Sequence, residues 1–240
     1  MNAGKSNFRY FLYPVILFWI LGFSLLFLKG YQGSFLYLNS HFATFLDFPF
    51  FLLTHIGDTL LVLALLVFFW SKNKLDLLLT IIIAVLLSGL LVQLMKLHFF
   101  DDWKRPQIIF FHHIPPIHTY STYHLFDNSF PSGHSNTIAC VFTIFAFAYR
   151  FLHKIVLLSF GFIALLICYT RVYLGVHFFG DILVGSLIGV CIALLIIHFI
   201  HPYLKNKLGQ LIISKNLNLS LQLLGVLLFI LSIYLIYRDL

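Results

Sequence analysis

Long apolar runs constrain this chain more than any motif does. A helix needs about 20 mostly apolar residues to cross a bilayer. Seven stretches qualify: 10–28, 50–70, 75–97, 135–151, 155–174, 182–200 and 217–237. Hydrocarbon offers no partners to a bare backbone, so such runs must close their hydrogen bonds internally. The expected fold class is therefore all-α, a polytopic membrane helical bundle of six to seven transmembrane helices. The last run is the softest of the seven. Charged residues make up 10% of the 240 and hydrophobic ones 61%, against about 25% charged in an ordinary soluble domain. A soluble fold of this size could not cover that much apolar surface. A soluble enzyme, a nucleic-acid binder and a disordered regulator are thereby excluded. No internal repeat divides the chain, so residues 1–240 are read as a single membrane domain. Lys5 and Arg9 precede the first run as in a signal peptide. The run is long and no small-x-small cleavage site follows, which predicts an anchor. Cys140, Cys168 and Cys191 sit inside apolar runs without metal-ligand spacing and read as small core residues.

The formal charge is +7, and all eight acidic residues are Asp. The basic excess thus partly reflects scarce acids, and its placement says more than its size. With a cytoplasmic N-terminus, Lys5, Arg9, Lys72, Lys74, Arg150, Lys154, Lys205, Lys207 and Lys215 fall inside. Lys29, Lys96, Lys104, Arg105, Arg171 and Arg238 fall outside. The positive-inside rule favours this orientation. Losing the seventh span would move only the C-terminus.

The longest polar stretch, 98–130, then lies outside. It holds Pro106, Pro115 and Pro116 and the histidines His112, His113, His118 and His124. The run FHHIPPIH fits no standard metal spacing and is broken by two prolines, so a head-group or water-facing surface is expected, and no metal. Polar residues at membrane depth are functional candidates, and they gather in three clusters on the outer side. The first is Lys96 with Arg105-Pro106, which alone reads first as a snorkelling lysine and a loop arginine. The second is Pro131-Ser132-Gly133-His134 before the fourth run. It is either a plain capped helix start or an anion site of free amides beside a proton-exchanging histidine. The third is Arg171, His177 and Asp181. Four residues apart, His177 and Asp181 share a helix face. They form a structural pair, or a carboxylate that orients an imidazole nucleophile. Chance would scatter three such clusters over both sides.

Together they describe phosphoryl transfer. Lys96, Arg105 and Arg171 offset charge on the equatorial oxygens, His177 attacks in line, and His134 protonates the leaving oxygen. No cofactor is required, because cations and helix-end amides take the place of magnesium.

The clusters resemble the signature of the type-2 phosphatidic acid phosphatase superfamily: Lys-x6-Arg-Pro, Pro-Ser-Gly-His and Ser-Arg-x5-His-x3-Asp. Here they read Lys96-x8-Arg105-Pro106, Pro131-Ser132-Gly133-His134 and Thr170-Arg171-x5-His177-x3-Asp181. The resemblance covers 75–200, the expected catalytic core. It implies a helical membrane lipid phosphatase with a phosphohistidine intermediate on His177, Asp181 as its orienting partner and His134 as the acid. Ser132 and Gly133 are implied as phosphate ligands. Two departures stand out. The first part is two residues longer than the pattern, with eight intervening residues for six, which puts His98 where the lysine is usual, and Thr170 replaces a serine but keeps a hydroxyl.

With an outward site in a bacterium, the resemblance implies the inner membrane and a periplasmic active site. The partners expected are the bilayer and a phospholipid or lipid A-type substrate, with no nucleic acid. Lipid A phosphatases are slightly favoured, through the segment ahead of Pro131. Undecaprenyl-pyrophosphate and phosphatidylglycerophosphate phosphatases are the alternatives. His55 and Asp58, near the outer end of the second run, read either as head-group contacts or as a hydrogen-bonded intramembrane pair. A vanadium haloperoxidase would not need seven spans, and a lipid transporter or inactive lipid-binding homologue would not need the complete set of site residues.

Overall fold

The structure is a computed structural model that describes residues 6–70, 74–120, 127–209 and 214–238. Lys5, Lys72 and His124 lie outside the described residues. Every regular element described is helical. In chain order these are α1 (Arg9–Asn39), α2 (Asp47–Thr54), α3 (Thr59–Trp70), α4 (Leu75–His98), α5 (Pro106–Ile109), α6 (Gly133–Ala148), α7 (Lys154–Tyr173), α8 (Phe179–Phe199), α9 (His201–Leu208) and α10 (Lys215–Arg238). All seven apolar runs are helical. α1, α4, α7, α8 and α10 are each long and apolar enough to cross a bilayer, and α2 with α3 forms a bent sixth candidate. α6 is shorter, at 16 residues. Phe27, Leu86, Leu90, Ile155, Leu195 and Leu227 face outward, as a lipid-facing surface requires.

Two breaks in these helices shape the site. α1 is 31 residues long but is interrupted at Gly30, with φ +71° and ψ 178°. A side chain would strain that backbone, and glycine does not. The run 10–28 ends just before this break, and Tyr31 begins a second helical segment beyond the kink. The second break corrects the sequence reading. The run 50–70 is two helices bent by 67° around the turn His55–Gly57 and Asp58. Asp58 takes an extended backbone, and its carboxylate accepts from Leu61 N at 3.0 Å. It is thus the N-cap of α3, a role that suits Asp and restarts the helix in a new direction.

The centre of the bundle is the pair α6 and α8. A Cβ at Gly185 would lie 2.4 Å from Ser132 O, and one at Gly189 would lie 2.2 Å from Asn136 O. Two small residues one turn apart let the backbones touch, which compensates for the weak hydrophobic drive between helices in lipid. Buried polar groups lock the same region. Asn136 Nδ2 donates to Ser88 Oγ on α4 at 3.0 Å, and Trp19 Nε1 on α1 donates to Ser186 Oγ at 3.0 Å. Cys140 and Cys168 are buried as expected, whereas Cys191 is exposed on α8 and packs in no core.

Candidate active site

The three polar clusters converge at one end of the bundle, beginning with the link between α7 and α8. Leu174 caps α7, and Gly175 follows with φ +73°. Gly175 N donates to Val172 O and Val176 N to Arg171 O, both at 3.1 Å. This bond pair defines a Schellman motif. His177 N also bonds Arg171 O, at 3.2 Å. The five residues between Arg171 and His177 are therefore one helix ending folded back on itself, which puts the imidazole beside the last turn of α7. A Cβ on Gly175 would lie 2.7 Å from His118 O and 2.8 Å from Thr119 Cγ2. Gly175→Ala is expected to cost about 2 kcal/mol or more, from left-handed strain plus overpacking. The check is a lowered melting temperature in detergent together with reduced activity, and an unchanged melting temperature would contradict it.

His177 is 2% exposed. Its Nδ1 donates to Asp181 Oδ2 at 3.0 Å. Its Nε2 lies 3.2 Å from Arg105 Nη1. A guanidinium can only donate, so Nε2 is the acceptor and its lone pair points at the arginine. Burial, with Arg105, Lys96 and Arg171 close by, holds the imidazole well below the ordinary histidine range and keeps it neutral. Asp181, the third residue of α8, is fully buried yet satisfied. Besides His177 it accepts from Phe178 N at 3.0 Å, from Ser129 Oγ at 2.5 Å and from the Tyr31 hydroxyl. Four donors stabilise the ionised carboxylate where an unpaired charge would be costly. The bond to Phe178 N is the backward reach of an N3 acid in a capping box.

Arg105 caps the short α5 and is 8% exposed. It also donates to Asp127 O and Val176 O, both at 3.0 Å, bridging the loop before α6 to the loop that carries His177. Burial lowers its pKa to about 10, still a cation at neutral pH. Lys96, in the last turn of α4, donates to Asn128 O at 2.7 Å and interacts electrostatically with Arg105, Asp181 and Arg171. His98, at the usual lysine position, is exposed. The longer spacing is absorbed by the turn after α4, and Lys96 is the residue that faces inward. Arg171 is 4% exposed and donates to Thr54 Oγ1 on α2 at 2.8 Å. The Thr170 hydroxyl donates to Ile167 O at 2.6 Å, a bond a serine could also make.

Ser132 is the N-cap of α6, and its Oγ accepts from Ser135 N at 3.3 Å and from Ser135 Oγ at 3.1 Å. The hydroxyl is fully buried and engaged in capping. The amides of Gly133 and His134 open the helix and have no intrahelical acceptor. A Cβ on Gly133 would meet nothing within 4 Å, so there is room for an anion against them. Ser132 N donates to Asp181 O at 3.1 Å, tying this helix start to the dyad.

Other residues named from the sequence fall elsewhere. Asp58 uses its carboxylate to cap α3, and its link to His55 is the backbone bond from Asp58 N to His55 O at 2.9 Å. His118 is pinned by Asp47 at 3.0 Å and stacks on Phe42, with ring centroids 4.1 Å apart. His112 and His113 are exposed. Among the described residues, no three His, Cys, Asp or Glu converge as metal ligands. Sequence reasoning missed Tyr31, Ser129 and Thr54, which hold the dyad and Arg171. The signal for Tyr31 was Gly30 just before it, and the Leu174-Gly175 pair marked the loop. Nothing local marked Ser129 or Thr54. Beyond His134, an apolar hollow of about 400 Å³ opens between α3 and α6, lined by Ile56, Val62, Leu66, Ile138 and Phe142 among others. Ile138 is one helical turn from His134.

Comparison with known proteins gives concordant matches. A family model described as the PAP2 superfamily matches residues 74–204. Phosphatidylglycerophosphatase B of Bacillus subtilis is 43% identical over 75 residues, 28% of this chain and 37% of the relative's length. Among solved structures, Aquifex aeolicus LpxE superposes with a TM-score of 0.59 at 27% identity, covering 70% of this chain and 95% of the other. A PAP2-type phosphatidylglycerolphosphate phosphatase from Bacillus subtilis, at 24% identity and a TM-score of 0.50, covers 77% and 93% and shares the fold.

Proposed function

The chain belongs to the PAP2 superfamily, and on that premise we propose that it hydrolyses a phosphate monoester or pyrophosphate of a membrane lipid through a phosphohistidine on His177. It is an integral membrane protein with a PAP2 lipid phosphatase fold. The observation that carries the mechanism is the neutral imidazole clamped between Asp181 at Nδ1 and Arg105 at Nε2. A phosphoryl group entering between Arg105 and His177 takes over the guanidinium donors and frees the lone pair. Nε2 then attacks phosphorus, the bond to the lipid oxygen breaks, and His134 gives that oxygen its proton. Water next attacks phosphorus, His134 recovers a proton from it, the phosphorus–nitrogen bond breaks, and phosphate leaves. Lys96, Arg105, Arg171 and the first amides of α6 stabilise the charge on the transferring group. Residues 75–200 are assigned as the catalytic core, with α1 contributing Tyr31.

Lipid A is the substrate favoured, on the segment ahead of Pro131. Phosphatidylglycerophosphate is the second reading, on the 43% identity over 75 residues to phosphatidylglycerophosphatase B. The chain spans 37% of that relative's length. The hollow beside Ile138 suits an acyl chain hanging from a phosphate held at His134. The test is a panel of lipid A, undecaprenyl pyrophosphate, phosphatidylglycerophosphate and phosphatidic acid with pure protein in detergent and EDTA. Phosphate release from at least one is expected. Release that stops in EDTA and returns with a divalent metal would refute the metal-free mechanism. Lipid movement in liposomes without phosphate release would favour a transporter.

The site is assigned to the periplasmic side, because Arg9, Lys74, Arg150, Lys154, Lys205, Lys207 and Lys215 belong to segments at the other end of the spans. Ile114 is 91% exposed in the loop on the site's side. With Cys140, Cys168 and Cys191 replaced, Ile114→Cys is expected to react with an impermeant thiol reagent from outside intact cells. Labelling only after the cytoplasm is opened would reverse the orientation.

A further inference from the structure

His55 is buried, at 8% exposure, and its Nε2 has no hydrogen-bond partner. Leaving such a group unpaired is costly, so a fold that keeps it invites a ligand. Its surroundings indicate which ligand. The turn His55–Gly57 is bracketed by two members of the phosphate site. On one side Thr54 Oγ1 accepts from Arg171 Nη1 at 2.8 Å. On the other, a Cβ on Gly57 would lie 3.3 Å from His134 Cβ and 3.4 Å from His134 Cδ2. His55 interacts electrostatically with both Arg171 and His134. Asp58 also interacts with it electrostatically, but its carboxylate accepts from Leu61 N and caps α3. The bend between α2 and α3 thus sets His55, with one buried and unpaired imidazole nitrogen, between two residues that touch the arginine and the acid. None of the three sequence clusters includes this element.

We propose that His55 Nε2 is a further phosphate ligand, donating a hydrogen bond to a non-bridging oxygen of the substrate's phosphoryl group on the side shared by Arg171 and His134. This rests on the phosphatase reading above. The oxygens it contacts persist from substrate to product, so His55 supports binding of both and leaves the attack on phosphorus to His177. Inorganic phosphate and orthovanadate carry the same oxygens and require the same contact.

The experiment uses the full chain in detergent, the panel lipid on which wild type is most active, and orthovanadate as a direct ligand measured by calorimetry. His55→Ala is expected to raise KM and weaken vanadate binding by about tenfold or more, with kcat changed far less. His55→Gln, which keeps an amide donor near the Nε2 position, is expected to recover most of that binding. Values of KM and vanadate affinity in His55→Ala within twofold of wild type would overturn the inference and leave the phosphatase reading intact. Equal losses in the Ala and Gln variants, tracking a lowered melting temperature, would assign His55 a packing role and overturn it as well. A wild type that neither releases phosphate nor binds vanadate would overturn both readings together.

Discussion

Replacing His177 with Ala is expected to lower phosphate release by at least about 10³-fold, the scale on which catalytic groups acting as a unit are lost. The protein is expected to stay folded, because Asp181 keeps Phe178 N, Ser129 and Tyr31 as donors. Gel filtration and melting in detergent check that point. Asp181→Asn should come close to the same loss by a different route, since an amide no longer dictates which imidazole nitrogen carries the proton. In acid-quenched turnovers with a phosphorus-labelled lipid, wild type is expected to retain label on protein and His177→Ala to retain none. Full activity in His177→Ala would end the mechanism. The protonation state gives a second reading of the same site. The ordinary histidine pKa is about 6.5, and that of His177 is pushed well below it, chiefly by burial and then by Arg105. A depressed pKa means the proton arrives only at lower pH, so the ring stays neutral as pH falls through 6.5. With nitrogen-labelled histidine and His177→Ala for assignment, NMR should show Nε2 unprotonated and Nδ1 protonated down past that point. An imidazolium forming near 6.5 would contradict the clamped geometry.

Arg105→Ala is expected to be nearly as damaging, at about 10³-fold in kcat/KM, the scale of arginines that stabilise phosphoryl transfer. Three losses combine. The transition state loses a cation, the imidazole loses the donor that aligns Nε2, and the carbonyls of Asp127 and Val176 lose a shared partner. The last effect predicts lower stability as well, from buried acceptors left unpaired. Arg105→Lys separates the terms. It keeps the charge, but a single ammonium cannot span two carbonyls and a phosphate as a planar fork can. It should therefore regain part of the stability and little of the rate. A lysine variant as active as wild type would show that charge alone is required at this position.

Several features are legible in the sequence alone. Helical spans follow directly from apolar runs, and all seven are helical because a run of Leu, Ile, Phe and Ala has no other way to satisfy its backbone in lipid. His177 and Asp181 were readable as partners because four residues is one turn. Other expectations needed the third dimension. The straight second span became a bent pair because Asp58 caps a new helix, and hydropathy does not register a cap. The choice between Lys96 and His98 was open in the sequence, since both sit in the last turn of α4 and only the path of the loop to Arg105 decides which faces in. Cys191 lies in an apolar run like the other two cysteines, yet it points outward, because periodicity cannot tell a lipid-facing side from a core-facing one when both are apolar.

The sequence by itself determined that this is a membrane helical bundle carrying three polar clusters, because apolar length and short-range spacing are local properties that a chain writes directly. Only the tertiary structure decided that Tyr31 and Ser129 hold Asp181, that Thr54 holds Arg171, and that His55 is buried beside them with Nε2 unpaired. Those contacts join residues dozens to more than a hundred positions apart. They depend on the break at Gly30, the bend at Asp58 and the reversal at Gly175, whose angles are set by packing and carry no periodic signal of their own.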